Sequence, residues 1–268
     1  MNRAEQFLLD FHRDHPGCTS LAFAKGKSIE TGSSSYEILS ELVSGDRVLD
    51  LGCGDGHLLS LVIRRPGGET AIGVDFSPDE LASARTRLPG LALVRGKAQR
   101  TPFRDNSFSL VLSHFAFHLM SEVETVVDEL SRVLTPLGRF AAIVGGGPKI
   151  GDSFELFLEL LSKAQREDQR VPRIGERQAR TDTGLRHLFS QHPKFENELQ
   201  LDTYYVDFGG SFDEVWLRLS TIYDFMYFSA DEANSIRDAF RHELAPAEGV
   251  HIPCTMAIRR LIAFRNTK

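Results

Sequence analysis

In the stretch VLDLGCGDGHLL, residues 48–59, Gly52, Gly54 and Gly56 alternate directly after a short apolar run that carries Asp50. Glycines in such a loop let bare backbone approach a ligand, yet the same residues also serve a plain tight turn with φ > 0. The residues that follow separate the two readings. Asp75 closes the next apolar run, with Phe76 beside it. A carboxylate there can accept both hydroxyls of a ribose in charge-assisted bonds, and Phe76 offers an apolar face to a base. Further on, GKAQ places the Ala98 N–H and the Gln99 side chain in a loop able to read a base edge, and SLVLSHFAFHL brings Ser113, His114 and His118 to the end of another apolar run.

Three ligand classes use a loop of this kind. A phosphate-binding P-loop needs Gly-x-x-x-x-Gly-Lys-Ser/Thr; here Lys149 follows Gly145 to Gly147 but Ile150 comes next. A dinucleotide fingerprint places its third glycine where His57 stands. S-adenosylmethionine has no pyrophosphate but carries an ammonium, a carboxylate and a sulfonium. Asp50 suits its cationic end, the glycines its close approach, and the following helix N-terminus its carboxylate.

The elements needed to position these residues are legible around them. SSSYEILSELV has Ser34 three residues before Glu37, a capping-box pattern at the start of a helix. RVLDL, TAIGVD, LALVRG, FSLVLSH and RFAAIVGGG read as short buried strands. Helices are expected over 56–65, from Ser77 with Pro78 at N1 and Glu80 at N3, and over EVETVVDELSRVL, stopped by Pro136 and Gly138. Strands alternating with helices predict an α/β, Rossmann-like, mostly parallel sheet with helices on both faces. Beyond it, 153–170 and TDTGLRHLFSQH read as added helices, FENELQLDTYYVDF and TMAIRRLIAFRN as an antiparallel sheet edge, and the segment between them as two helices. The expectation is one domain over 1–268. It comprises a helical segment at 1–45, a cofactor half at 46–147, and helical lid insertions at 148–180 and 211–246 over the strand ends that select the acceptor.

VLDLGCGDG, GVDFSPDEL, GKAQRTPFRDNSFSLVLSHFAFHL and ELSRVLTPLGRF, in this order, resemble the class I S-adenosylmethionine-dependent methyltransferases. The similarity is to the branch holding ubiquinone/menaquinone-biosynthesis and natural-product enzymes. It covers roughly 45–145. It implies cofactor contacts from Asp50, Gly52, Gly54, Asp75, Ala98 and Gln99, with Phe76 and the small packed Cys53 in the same site and Ser113 near the methionine end. His118 matches a histidine the family often carries and is the candidate catalytic residue, as base or as positioning group, with a structural hydrogen bond as the alternative. Tyr36 is a candidate to close over the cofactor. Where the family often has an acid this chain has Lys97, so the adenine amino contact must be remade, with Gln99 as the candidate.

Composition agrees with a soluble globular protein: 41% hydrophobic, 25% charged, and no apolar run of about 20 residues. The N-terminal stretch lacks a secretory h-region. Three dispersed cysteines, Cys18, Cys53 and Cys254, suggest neither a disulfide framework nor a metal cluster, and a cytoplasmic location is expected. A net charge of −6 argues against a general nucleic-acid binder, and no membrane partner is expected. The reading is an enzyme that methylates a small apolar or aromatic metabolite, such as a quinone or natural product, on O, N or C. The alternatives are an RNA or protein methyltransferase, a non-catalytic cofactor-binding module, and a nicotinamide-dependent oxidoreductase.

Overall fold

The computed structural model describes residues 2–165, 171–196, 198–225, 227–245 and 249–267. The chain begins with α1 (Arg3–Asp14), α2 (Cys18–Phe23), the short strand β1 (Lys27–Ser28) and α3 (Ser35–Ser40). Strands and helices then alternate through β2 (Val48–Leu51), α4 (His57–Val62), β3 (Ile72–Asp75), α5 (Pro78–Arg87) and β4 (Ala92–Arg95). β5 (Phe108–His114), α6 (Val123–Val133) and β6 (Leu134–Pro148) follow. α7 (Ser153–Ala164) and α8 (Asp182–Ser190) lead to β7 (Gln200–Asp207), and α9 (Phe212–Leu219) and α10 (Ala230–Leu244) separate it from β8 (Thr255–Phe264).

The sheet order is β1-β7-β8-β6-β5-β2-β3-β4. β4, β3, β2, β5 and β6 pair in parallel, whereas β8 runs antiparallel to both β6 and β7, and β1 to β7. The expected antiparallel strand therefore lies inside the sheet, with two-residue β1 forming that edge. β2 has β3 on one side and β5 on the other, so the chain leaves it in two directions. The loops after β2 and β5 part there, and the crevice left at the strand ends is where open α/β sheets bind ligands.

Side-chain alternation splits the core into two layers. Leu49, Leu51, Val111 and Phe140 pack with α6 and α8. Val48, Leu110, Leu112 and Ile143 pack against α3 and α4 on the other face. Asp50 and His114 share the parity of the second set, so both emerge on the α3–α4 side where their strands end. The Ser34–Glu37 capping box forms in both directions and fixes the start of α3. α6 stops earlier than its proline suggests, because Leu134 already pairs with Phe108; Leu137 at φ 63 then turns the chain.

The helix expected over 153–170 is Ser153–Ala164, and 166–170 lie outside the described residues, as do Met226 and 246–248. α7, α9 and α10 share an apolar core around Phe157, Val215 and Phe240, so these helices are rooted in their own packing.

Candidate active site

A cavity of about 1050 Å³, open to solvent, is bounded by the residues that end β2, β3 and β5 and by the loop after β4. Asp50, Gly52, Cys53, Gly54, Asp75, Phe76, Ala98 and Gln99 all line it. Eight of the residues singled out from sequence thus meet in one place. Ser113 and His118 stand outside the lining. Ser113 is buried beneath, its hydroxyl donating to the Leu51 carbonyl at 2.8 Å, so it braces the glycine loop. His118 sits in a 3-10 turn whose neighbours Leu119 and Met120 face the cavity instead.

The loop glycines have distinct reasons to be glycine. A Cβ on Gly52, at φ +76, would lie 2.5 Å from the Ala116 Cβ, so this residue lets the 115–120 segment pack closely. At Gly54, φ +51, the nearest atom to a Cβ would be Glu80 Oε2 at 3.7 Å, so the space above it belongs to the cavity. The Gly54 N–H donates to Asp75 Oδ2 at 2.9 Å, and the Ser77 N–H donates to Oδ1 at 2.8 Å. These bonds hold the carboxylate flat against the loop and leave each oxygen a lone pair for a ligand hydroxyl. Burial raises the Asp75 pKa, and the two N–H bonds oppose that rise. Asp75→Ala is expected to weaken S-adenosylhomocysteine binding by about one to two decades, the loss of charge-assisted bonds, in a folded protein. Unchanged affinity by titration calorimetry would remove Asp75 from the ribose role.

Asp50 differs. It is buried, and neither carboxylate oxygen has a hydrogen-bond partner among the described residues. Burial, then the charges of Asp75 and Asp55, push its pKa well up. An unpaired buried carboxylate is costly, and a cationic ligand group above the loop would relieve it.

One wall is a group of rings. Tyr36 stacks on His114 with centroids 3.5 Å apart and meets His57 edge-on at 4.5 Å. His57, which stands where a dinucleotide fingerprint has its third glycine, is half-buried against this wall and lines the cavity. His114 Nε2 contacts Ser35 Oγ at 2.9 Å, while its Nδ1 has no partner among the described residues. Burial lowers the pKa of His114 well below the usual imidazole value, and burial followed by Arg180 lowers that of His118 to about 3. Both rings are neutral at pH 7.

Apart from Tyr223, which belongs to the 211–246 segment expected to cover the strand ends, the roof comes from residues the sequence reading did not assign to the site. Glu5, Leu8 and His12 reach in from α1, Gly17 and Thr19 from the turn into α2, and Tyr223 from the 211–246 insertion. Glu80 anchors them. Its position at N3 of α5 fits a capping box, but the Ser77 N–H is taken by Asp75. The Glu80 carboxylate instead accepts the Gly17 N–H at 3.1 Å and meets His12 Nδ1 at 2.7 Å. Burial alone would lower the His12 pKa; Cys18 and Glu80 outweigh it and raise it to about 10, so the imidazole is protonated at pH 7. His12, Cys18 and Glu80 bring metal-ligand atom types within 4.8 Å of one another, a grouping their sequence spacing conceals. The Tyr223 hydroxyl meets His12 Nε2 at 3.2 Å, and Val171 and Ile174 from the 148–180 insertion pack in the same cluster.

Residues 49–142 match the model of a family described as a methyltransferase domain. Over 101 residues the chain is 38% identical to a probable phthiotriol/phenolphthiotriol dimycocerosates methyltransferase 2 of Mycobacterium ulcerans, covering 37% of this chain and 39% of that protein. Over 100 residues it is 38% identical to a fatty-acid O-methyltransferase of Mycolicibacterium smegmatis, covering 37% and 36%. The aligned part of the chain thus spans less than half the length of these relatives. Among solved structures, a putative type II methyltransferase from Anaeromyxobacter dehalogenans superimposes with a TM-score of 0.60 at 17% identity, covering 91% of this chain and 98% of that one. The [4+2]-cyclase SpnF does so at 0.55 and 18%, covering 97% and 94%. Each likeness extends over more than nine-tenths of this chain, and fold alone does not name a reaction.

Proposed function

We propose that this protein is an S-adenosylmethionine-dependent methyltransferase acting on a small, apolar acceptor. The observation that carries the cofactor reading is Asp50, a buried carboxylate without a partner among the described residues, beside a glycine loop that leaves cavity space above Gly54. Asp50 would take the ammonium, Asp75 the ribose hydroxyls, Phe76 a face of the adenine, and Ala98 and Gln99 its edge. Ser113 acts from below by holding the Leu51 carbonyl. When bound, the cofactor supplies a methyl group on a sulfonium whose departure leaves a neutral thioether, so the transfer calls for alignment more than charge stabilisation. Alignment can account for about 7–11 kcal/mol of a barrier.

The ring wall of Tyr36, His57 and His114, together with Leu8, Leu119 and Met120 in the lining, gives the acceptor an aromatic and aliphatic seat. Relatives named for a fatty acid and for dimycocerosates support an apolar substrate. No described helix is long and apolar enough to cross a membrane, and a cytoplasmic enzyme without a nucleic-acid partner fits the acidic composition. Incubation with methyl-labelled S-adenosylmethionine and pools of fatty acids, alcohols and phenols should place label in an extractable product. Label confined to RNA or protein would overturn the small-molecule assignment.

His118 is proposed as a positioning group, held neutral by burial and supporting the Leu119–Met120 wall. Because its pKa is about 3, the rate should be flat with respect to this group from about pH 5.5 to 8. His118→Ala should lose less than the roughly 10²-fold of a general base. A wild-type rate that rises through about pH 6.5, with the rise missing in the variant, would restore the base role.

A further inference from the structure

The cavity runs along the strand ends from β2 to the loop after β4, two strands or about 10 Å away. At that far end stand Gly96, Lys97, Ala98, Gln99 and, from α1, Glu5. Glu5 is at N3 of the α1 capping box, where Asn2 Oδ1 accepts the Glu5 N–H at 2.8 Å and Glu5 Oε2 accepts the Asn2 N–H at 3.1 Å. Its carboxylate also takes Lys97 Nζ at 2.8 Å, and its side chain is 15% exposed. Lys97 thus holds the Glu5 carboxylate of α1 against the loop after β4. The Gln99 amide nitrogen is engaged elsewhere, donating to the Ser121 carbonyl at 2.6 Å, which leaves only its oxygen to face a ligand. The loop is held in turn by Glu129, which accepts the Thr101 N–H and hydroxyl, each at 2.6 Å. The result is an ionised acceptor beside a cationic donor. That complements the edge of a 6-aminopurine, an N–H donor next to a ring-nitrogen acceptor, and opposes a 6-oxopurine, whose edge is reversed.

We propose that Glu5 recognises the exocyclic amino group of the cofactor's adenine, so that α1 both roofs the cavity and reads the base. The inference rests on the proposed S-adenosylmethionine site. Titration calorimetry with S-adenosylhomocysteine and with S-inosylhomocysteine, its 6-oxo counterpart, tests it without knowledge of the acceptor. The wild type is expected to prefer the adenine ligand by roughly 10- to 100-fold, the cost of replacing one charge-assisted bond with a mismatch. Glu5→Gln keeps the capping box and offers both a donor and an acceptor, so its preference should fall to within about threefold. Lys97→Met, which removes the pin but keeps the carboxylate, should retain the adenine preference. If Glu5→Gln weakens both ligands and leaves their ratio unchanged, Glu5 only fastens α1 and the proposal is overturned. A wild type that binds both ligands equally overturns it as well. Failure of S-adenosylhomocysteine to bind the wild type would overturn the cofactor site along with it.

Discussion

A Gly54→Val variant is expected to lose S-adenosylhomocysteine affinity by roughly 100-fold or more, equivalent to about 2.7 kcal/mol, while remaining folded. Two physical effects add. The side chain would enter cavity space, since the nearest atom to its Cβ is Glu80 Oε2 at 3.7 Å. The φ of +51 also disfavours any L side chain, by about 1–2 kcal/mol, and a β-branched one most, so the loop shifts. Such a shift carries with it the Gly54 N–H that holds Asp75 Oδ2. Calorimetry and a thermal melt separate the outcomes: a folded variant with normal affinity would show that the loop does not hold the cofactor.

Asp50→Asn is expected to do the opposite things to stability and binding. The carboxylate has no partner to lose among the described residues, so removing its charge should stabilise the ligand-free protein. The linkage has a definite sign. The folded-state pKa lies well above 3.8, so the folded protein keeps a proton that the unfolded chain has released. Stability conferred by this group is present at low pH and is lost as pH rises from about 4 through the folded pKa. Melts from pH 4 to 9 should therefore show the variant gaining on the wild type as pH increases, by a few degrees if the ionisation costs about 1 kcal/mol. Binding should fall by about one to two decades, because the ammonium loses its counter-charge. In the wild type, binding should release a proton, visible as a dependence of the binding heat on buffer ionisation enthalpy. A variant that melts lower at pH 8 and binds normally would show that Asp50 is a structural carboxylate.

The floor of the site was legible because every contact there lies within a few residues of a strand end. Strand periodicity places Asp50 and Asp75, and the loop chemistry of Gly52 and Gly54 follows directly. The roof was not legible, since it depends on a helix from the start of the chain meeting α5 more than sixty residues later. Gly17 and Glu80 meet only in three dimensions. The emphasis on 153–170 as a cover shifts for the same reason. Its helical pattern is real, but Phe157 and Leu161 are consumed in packing with α9 and α10, and α1 with Tyr223 reaches the cavity. His118 carried the stronger sequence signal and His114 the lining position, because the chain turns at Phe115, φ 50, between them. The interior place of β8 was hidden because the position of an antiparallel pair in the sheet is set by pairing with β6, which periodicity does not encode.

SpnF shares the fold and is named as a cyclase, so the ligand decides more than the architecture. Titration of S-adenosylhomocysteine and of NAD⁺ into the same protein is the most direct measurement. This site predicts one saturable S-adenosylhomocysteine site per chain, weakened by roughly 100-fold or more in Gly54→Val, and no saturable heat with NAD⁺. Saturable NAD⁺ binding with no response to S-adenosylhomocysteine would contradict it.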